Sequence, residues 1–412
     1  MRSLSLRQLL RLSSGSTLFA VATALAGCSS APVEAPSSSG YVNSNGNSGS
    51  GASGSGASAG SSGGSSSAGS GGSSSAGGGG GSTSTGSGSG GSGATSSSSS
   101  GGGTSTGAGS SSGGGTMTES TTWTDGTTIS TSTTIPAGAT VTIAKGATVT
   151  VGAGVTITVA GTLSAETNTT HAKLTGTGWT GIVVAAGGTL NLDSVDFTGA
   201  ADPMAVTGTA TYANGTITAP ATPIDVEAGG SLTLTTVTIT GSTGYSRVNG
   251  NLTATALDYD SNGNEGVVIG GTTSVVKITG STFHGTSVDG GDMISVNACA
   301  SLTMTYTSIT ACHCAYHFNE ITSFDLENMD LHGDSYGFMM YGSDPTTGTR
   351  VFKNSNVETM AAAGIDEAGT NGAITVSGVY FDSSSKLDLT DQEISVTASA
   401  KTALPATMVG PQ

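Results

Sequence analysis

Downstream of residue 116, the chain consists largely of short runs in which apolar and polar residues alternate between glycines. Three of these runs occupy 139–144, 147–151 and 155–160. An alternation with a period of two residues predicts β-strands that bury one face and expose the other. The first structural expectation is therefore an all-β domain.

A longer period is superimposed on this alternation, because a strand-ending apolar residue recurs every 20 to 26 residues. The series runs through Phe197, Ile217, Ile239, Tyr259, Phe283, Ile309, Leu331, Val357 and Phe381. A second, less regular series stays in step with it and contains Ile182, Ile224, Ile294 and Ile365. Two series in step predict a solenoid whose coils bury their apolar faces on one another, as in a parallel β-helix. A β-sandwich would not keep one register over so many strands, and a leucine-rich repeat needs Leu and Asn at fixed places that are absent here.

The first 28 residues follow the order of a secretory signal. Arginines precede an apolar stretch at residues 18–26, which is too short to span a bilayer permanently. The stretch ends in Leu25-Ala26-Gly27-Cys28, which resembles the lipobox of bacterial lipoproteins. The resemblance implies that Cys28 is acylated as the first mature residue, and Ser29 matches the outer-membrane sorting pattern of that family.

Composition divides the rest of the chain. Residues 29–115 are nearly all Ser, Gly, Ala and Thr, so they lack the apolar side chains that offset the entropy of ordering. We expect a signal peptide at 1–27, a lipid-anchored disordered Ser/Gly-rich linker at 28–115, the β-helix at 116–395 and a C-terminal tail at 396–412. A flexible tether of this length favours display on the cell surface, although the periplasmic face stays open as an alternative.

The charge balance restricts the partners. The formal net charge is −16, with only 9% charged residues, and such a surface repels phosphate backbones, which argues against nucleic acid. It is compatible with cations and neutral glycans. The expected partners are the membrane, through the lipid on Cys28, together with a polysaccharide or an extracellular protein.

The repeat style also resembles a known group of folds. The segments Pro136-Ala-Gly-Ala-Thr-Val, Trp179-Thr-Gly-Ile-Val-Val and Gly187-Gly-Thr-Leu are similar to right-handed parallel β-helix proteins of the pectate-lyase-like superfamily. The resemblance covers most of residues 125–395 and implies a right-handed β-helix. That superfamily contains polysaccharide lyases, glycosidases, uronate epimerases and non-catalytic surface proteins, so the fold alone does not select an activity.

Catalytic motifs of those enzymes are incomplete in this chain. The Tyr341-Gly-Ser-Asp344-Pro345-Thr346 segment is similar to part of a uronate epimerase motif but lacks its histidine and second aspartate. The residues that follow the apolar series should face outward and include Asp260, His332 and Glu358. These three are the candidate catalytic residues, with a solvated face of scattered charges as the alternative.

Two segments contain potential metal ligands. Asp258, Asp260 and Asn262 match the opening of a calcium loop, with an Asx-rich turn as the alternative. Cys312, His313, Cys314 and His317 offer soft ligands, and Cys299 lies one strand earlier. For these residues three alternatives stay open: a disulfide between Cys299 and either Cys312 or Cys314, a zinc site, or buried free thiols.

A candidate sugar-binding face contains Tyr316, His317, Tyr336 and Tyr341, with core packing as the alternative for the aromatic rings. Taken together, the sequence favours a surface-displayed, non-catalytic lipoprotein for adhesion, glycan or matrix binding, or envelope structure. The competing hypothesis is a polysaccharide lyase, uronate epimerase or glycoside hydrolase tethered to the cell surface. Calcium is the one cofactor that the residues suggest.

Overall fold

The computed structural model describes residues 120–166, 169–319, 321–341, 348–368, 374–389 and 394–412. Within these ranges the secondary structure consists of β-strands, turns and bends, without a helix. The strands are, in chain order, β1 (Thr121–Trp123), β2 (Thr128–Ile129), β3 (Thr133–Ile135), β4 (Thr140–Ile143), β5 (Thr148–Val151), β6 (Thr156–Val159), β7 (Thr162–Ala165), β8 (Ala172–Val184), β9 (Thr189–Asp193), β10 (Val195–Val206), β11 (Thr209–Thr218), β12 (Asp225–Val226), β13 (Ser231–Thr240), β14 (Ser246–Val248), β15 (Asn251–Asp260), β16 (Val267–Ile269), β17 (Val275–Thr279), β18 (Thr282–His284), β19 (Ile294–Val296), β20 (Ser301–Thr305), β21 (Ser308–Thr310), β22 (Cys314–Phe318), β23 (Phe324–Glu327), β24 (Asp330–His332), β25 (Tyr336–Tyr341), β26 (Arg350–Lys353), β27 (Asn356–Glu358), β28 (Ala363–Ala368), β29 (Ile374–Phe381), β30 (Leu387–Leu389) and β31 (Ile394–Ser399).

All strand pairings are parallel, and each coil contributes one strand segment to each of three sheets. Sheet 1 contains β1, β4, β7, β9, β11, β13, β15, β17, β20, β23, β26, β29 and β31. Sheet 2 contains β2, β5, β8, β10, β11, β13, β15, β18, β21, β24, β27 and β29. Sheet 3 contains β3, β6, β8, β10, β12, β14, β16, β19, β22, β25, β28 and β30. The predicted parallel β-solenoid is confirmed, whereas its right-handedness stays a prediction.

The first apolar series forms a continuous inward-facing column of sheet 2. Phe197 pairs with Ile217, and the pairing continues coil by coil to Val357 and Phe381. The members from Phe197 to Val357 are buried, and burying one such side chain contributes roughly 1.5–3 kcal/mol. The predicted register is therefore correct over its whole length.

The second series lies on sheet 3 and includes residues that the sequence pattern did not identify. Between its isoleucines stand side chains of other types, in the order Ile182, Met204, Ile224, Ser246, Val267, Ile294, Tyr316, Phe338 and Ile365. All of them are buried. The column explains why the series looked irregular, because a serine and two aromatic residues occupy inward positions.

A sharp corner between sheets 1 and 2 depends on one left-handed residue in each coil. These residues have positive φ and are Ser194, Asn214, Thr236, Ala256, Gly280, Tyr306, Asn328, Asn354 and Gly378. Glycine and asparagine accept this conformation readily, whereas a β-branched residue such as Thr236 does not. The corner column follows the spacing of the apolar series, so one irregular residue per coil is part of the repeat.

The C-terminal tail packs back against earlier coils. Strand β31 continues past the predicted domain boundary at residue 395, to Ser399. Asn356 and Leu404 exchange two hydrogen bonds, and the Gly410 amide donates to the Asn328 carbonyl over 2.9 Å.

Among the described residues, no helix has the length and apolar character needed to cross a membrane.

Candidate functional site

The three predicted catalytic residues share the outward column of sheet 2 but do not form one group. His332 pairs with Glu358 in register, as predicted. Asp260 pairs with His284, which pairs with Thr310 and then His332, so three rungs of about 4.8 Å each separate Asp260 from His332. Asp260 and His332 therefore lie about 14 Å apart, too far for both to act on one bond, and the candidacy of each stays a prediction.

The His332 and Glu358 pair lies on an open surface. The His332 side chain is 46% exposed, and its Nδ1 lies 3.7 Å from Asp330 Oδ2. Burial, together with the negative charges of Asp330 and Asp382, raises the pKa of Glu358. Asp382 accepts hydrogen bonds from Ser384, Ser385 and Thr359, and these lower its pKa to about 2 despite partial burial. The geometry is that of a solvated polar face with turn-stabilising contacts.

The predicted calcium segment forms an Asx turn. Asp258 and Asp260 belong to strand β15, and Asp260 Oδ1 accepts the Asn262 amide hydrogen at 2.8 Å. His284 contacts both carboxylates, with Nε2 at 3.3 Å from Asp258 and Nδ1 at 4.0 Å from Asp260. The twelfth position of the expected loop, Ile269, is fully buried in β16. The Asx turn, predicted as the alternative, is confirmed, whereas calcium binding by Asp258, Asp260 and Asn262 stays a prediction.

The predicted sugar-binding set is divided by the fold. Tyr316 is fully buried, and its ring stacks on Phe338 with centroids 4.8 Å apart, so its assignment to an exposed face is wrong. Tyr341 ends strand β25, and its side chain lies outside the described part of the chain, as do residues 342–347 of the epimerase-like segment. Of the predicted set, only His317 and Tyr336 are described as partly exposed.

Cys28, the predicted lipidation site, lies outside the described residues.

The three described cysteines are free, which corrects the predicted disulfide between Cys299 and Cys312 or Cys314. Cys299 follows β19 and donates its thiol hydrogen to the Ser274 carbonyl at 3.4 Å. Cys312 precedes β22, so it lies where a strand of sheet 3 begins, whereas Cys299 lies beyond the point where the neighbouring strand ends. The Cys312 thiol donates a hydrogen bond to Asp334. Burial raises the pKa of Cys299 to about 11, which makes it an unreactive thiol.

A compact group of ionisable side chains lies where the connection 285–293 meets sheet 3. This connection joins β18 to β19. Two backbone hydrogen bonds fix its end: the His313 amide donates to the Gly291 carbonyl, and the Met293 amide donates to the Cys314 carbonyl. They place Asp292 against the start of β22. We call Asp292, His313, Cys314 and His317 the site cluster.

Within the site cluster, the Asp292 carboxylate lies between the two imidazoles. Its Oδ1 is 3.0 Å from His313 Nδ1, and its Oδ2 is 2.6 Å from His317 Nδ1. Cys314 Sγ lies 3.3 Å from His313 Nδ1. Asp292 and His317 are mostly buried, at 14% and 24% side-chain exposure, while the His313 side chain is 40% exposed. One nitrogen atom, one oxygen atom and one sulfur atom thus converge near the surface.

The electrostatics follow from these contacts. Burial alone would raise the pKa of Asp292, but the hydrogen bonds from His313 and His317 outweigh it and hold the pKa below its usual range. The hydrogen bond to Asp292 raises the pKa of His313, against the opposing effect of burial. Burial and the negative charge of Asp292 raise the pKa of Cys314. The Asp292 carboxylate is therefore the anionic centre of the cluster.

A second carboxylate, Asp334, is buried one coil further on. Its Oδ1 accepts hydrogen bonds from the amide and the thiol of Cys312, at 3.0 and 3.2 Å. Its Oδ2 has no hydrogen-bond partner among the described residues. Burial raises the pKa of Asp334 to about 7, although the two bonds from Cys312 act in the opposite direction.

Sheet 1 presents a different kind of surface. Two neighbouring outward positions per strand, from β4 to β15, carry only uncharged hydroxyl or amide side chains, and none of them is fully buried; the third outward position of β9 is Asp193. They form the threonine face: Thr140, Thr142, Thr162, Ser164, Thr189, Asn191, Thr209, Thr211, Ser231, Thr233, Asn251 and Thr253. The rungs repeat every 4.8 Å or so, and the two positions on one strand lie about 6.6 Å apart.

Sequence reasoning missed Asp292 and the arrangement of the threonine face. His313, Cys314 and His317 stood out as adjacent soft ligands, but Asp292 lies in an irregular connection outside the repeat. Its only signal was the Gly290-Gly291 pair before it, which marks a tight turn but carries no chemistry.

No protein-family model, curated protein or solved structure matches the chain. Its function is therefore inferred from the residues and their geometry.

Proposed function

We propose that the protein is a lipid-anchored, surface-displayed binding protein that holds a neutral polysaccharide along the threonine face. The observation that carries the proposal is the uncharged, repeating composition of that face in a chain of net charge −16. A polymer laid along the solenoid axis would meet the same hydrogen-bonding groups at each coil, about 4.8 Å apart.

The chemistry of the face favours a neutral partner. Hydroxyl and amide groups both donate and accept hydrogen bonds, as sugar hydroxyls do. Some of these groups already interact: Thr211 Oγ1 donates to Asn191 Oδ1 over 2.6 Å, and the hydroxyls of Thr142 and Ser164 lie 3.4 Å apart. Such contacts restrict the side-chain rotamers and reduce the entropy that binding would cost.

Rigidity and reach support the same proposal. The threonine face lies on strands paired in continuous register, so its groups are held in place before a ligand arrives. The lipobox at Cys28 and the long Ser/Gly-rich segment predict an anchored domain that extends away from the membrane. A binding role requires no catalytic group.

The enzyme alternative is weaker because its residue set is dispersed. Asp260 is separated from His332 and Glu358, and the latter two lie on an open, solvated column. The further acids beside that pair, Asp330 and Asp382, lie on the same open face, so they line no enclosed groove with it.

The binding test uses the full-length chain with insoluble neutral and anionic polysaccharides, reading both retention and new reducing or unsaturated ends. We expect retention on a neutral polymer without new ends. The double substitution Thr211→Lys and Thr233→Lys should reduce retention roughly ten-fold or more, because it inserts two charges into the face. The matched control, Thr198→Lys with Thr218→Lys, changes outward threonines of sheet 2 and should retain binding.

New ends would replace the proposal by an enzyme. Equal losses in both double variants would show that the threonine face is not the contact surface. The anchor is tested separately with Cys28→Ala, which should abolish incorporation of radiolabelled fatty acid and release the protein from membranes. Label that persists in this variant would remove Cys28 as the acylation site.

A further inference from the structure

The site cluster brings a carboxylate, an imidazole and a thiol together at one point between neighbouring coils. We propose that Asp292, His313 and Cys314 bind a divalent transition-metal ion of the zinc class, with His317 positioning the Asp292 carboxylate. The proposal is independent of the polysaccharide proposal, because it concerns a different sheet and different coils.

The three ligand atoms lie within 4.8 Å of one another, and two of their separations suit such an ion after a small adjustment. Zinc binds carboxylate oxygen and imidazole nitrogen at about 2.0–2.2 Å and thiolate sulfur at about 2.3 Å, so tetrahedral ligand atoms lie roughly 3.3–3.7 Å apart. The Cys314 Sγ to His313 Nδ1 distance is 3.3 Å, already in that range. Asp292 Oδ1 and His313 Nδ1 are 3.0 Å apart and need to separate by only a few tenths of an ångström.

The charges also favour a dication. The Asp292 carboxylate lies between the His313 and His317 imidazoles, and the Cys314 sulfur lies 3.3 Å from His313 Nδ1. A bound dication would displace the protons of the atoms that it binds and stabilise the thiolate of Cys314. One carboxylate and one thiolate then neutralise its two positive charges, which matters because Cys314 is fully buried.

The ligand set selects the class of metal. Calcium and magnesium prefer an all-oxygen shell, whereas nitrogen and sulfur ligands select zinc and its neighbours. Three protein ligands leave one position of a tetrahedral ion for water or another molecule, the arrangement typical of accessible zinc sites. The 40% exposure of the His313 side chain provides a route from solvent.

His317 has a distinct role in this arrangement. It bonds to Asp292 Oδ2 at 2.6 Å, while Oδ1 faces His313. A hydrogen bond to the oxygen that does not bind the metal fixes the orientation of the carboxylate, and the loss of such a bond typically lowers metal affinity 10- to 100-fold. His317 is therefore a positioning residue.

The experiment titrates Zn²⁺ alone into the reduced, chelator-treated full-length chain and measures stoichiometry and affinity by calorimetry. We expect about one ion per chain. His313→Ala and Cys314→Ser should each weaken binding by roughly 100-fold or more, and His317→Ala by roughly 10- to 100-fold. The matched control is His171→Ala, because His171 Nδ1 also lies 2.9 Å from a carboxylate, that of Asp196, but no cysteine is part of that pair.

Co²⁺ provides a readout that needs no variant, so a substitution that disturbs folding cannot obscure the result. The wild-type chain should show the thiolate-to-cobalt charge-transfer absorption, and Zn²⁺ should displace it. The proposal is overturned if the wild-type chain takes up no Zn²⁺, or if cobalt binds without the thiolate band. It is also overturned if His171→Ala weakens binding as much as His313→Ala does.

Discussion

Replacing Thr236 by glycine should stabilise the protein, although it removes a side chain. Thr236 has φ of 53°, in the left-handed region that β-branched residues rarely adopt. Its side chain is exposed, so the substitution removes no core packing. The neighbouring residue Thr235 is also exposed, but its φ is not positive.

The magnitude follows from two opposing effects. A residue with a Cβ atom costs about 1–2 kcal/mol in the left-handed conformation. Glycine costs about 0.5–1 kcal/mol through its greater freedom in the unfolded chain. Thr236→Gly should therefore raise the free energy of unfolding by about 0.5–1 kcal/mol. Thr235→Gly relieves no left-handed strain and adds only the entropic cost of glycine, so it should lower the free energy of unfolding by about 0.5–1 kcal/mol.

The assay compares urea midpoints and calorimetric melting temperatures of the wild type and the two variants. The expected shift for Thr236→Gly is about 1–3 °C upward. Unchanged m-values would show that the substitutions altered stability rather than the extent of unfolding. If Thr236→Gly destabilised the protein as much as Thr235→Gly, the assigned strain at the corner would be wrong.

Two further predictions concern a close backbone contact and a buried acid. Gly181→Ala should destabilise the protein by several kcal/mol or prevent folding, because a Cβ atom at φ of +140° would overlap the Asp202 carbonyl. Gly178→Ala is the control in thermal unfolding: it also places a Cβ at positive φ, +67°, but in open space, so it should lose only about 1–2 kcal/mol. The pKa of Asp334, raised to about 7, means that the folded state binds a proton that the unfolded state has released, so stability should fall as pH rises from about 4 to 7 and stay low above it. Asp334→Asn should reduce this slope and raise the urea midpoint at pH 8 relative to the wild type; a slope equal to that of the wild type would contradict the assignment.

The repeated part of the fold was predictable because each coil obeys the same physical rule. An inward residue must be apolar and its neighbours must face outward, so the column from Phe197 to Phe381 followed from spacing alone. The same rule, applied to the column of Ile182, would have placed Tyr316 in the core. It was assigned to the surface because tyrosine is compatible with either environment.

The site cluster was only partly predictable, since its members obey no common period. His313, Cys314 and His317 are close in sequence, but their partner Asp292 reaches them through the connection 285–293, whose path is set by backbone hydrogen bonds to the next coil. Buried Arg350 shows the same limit. It occupies an inward position of sheet 1 beside Phe324, and its guanidinium donates to the Ile321 carbonyl.

The one-dimensional architecture separates the two proposed sites. Each coil contacts mainly its neighbours, so a local change is transmitted weakly along the solenoid. The threonine face extends over sheet 1 from β4 to β15, whereas the site cluster lies at β22 on sheet 3. A substitution in one site should therefore act on the other only if it unfolds the intervening coils. Because left-handed corners and apolar columns maintain those coils independently of either site, the proposed binding of a polymer and the proposed binding of a metal ion should be separable by mutation.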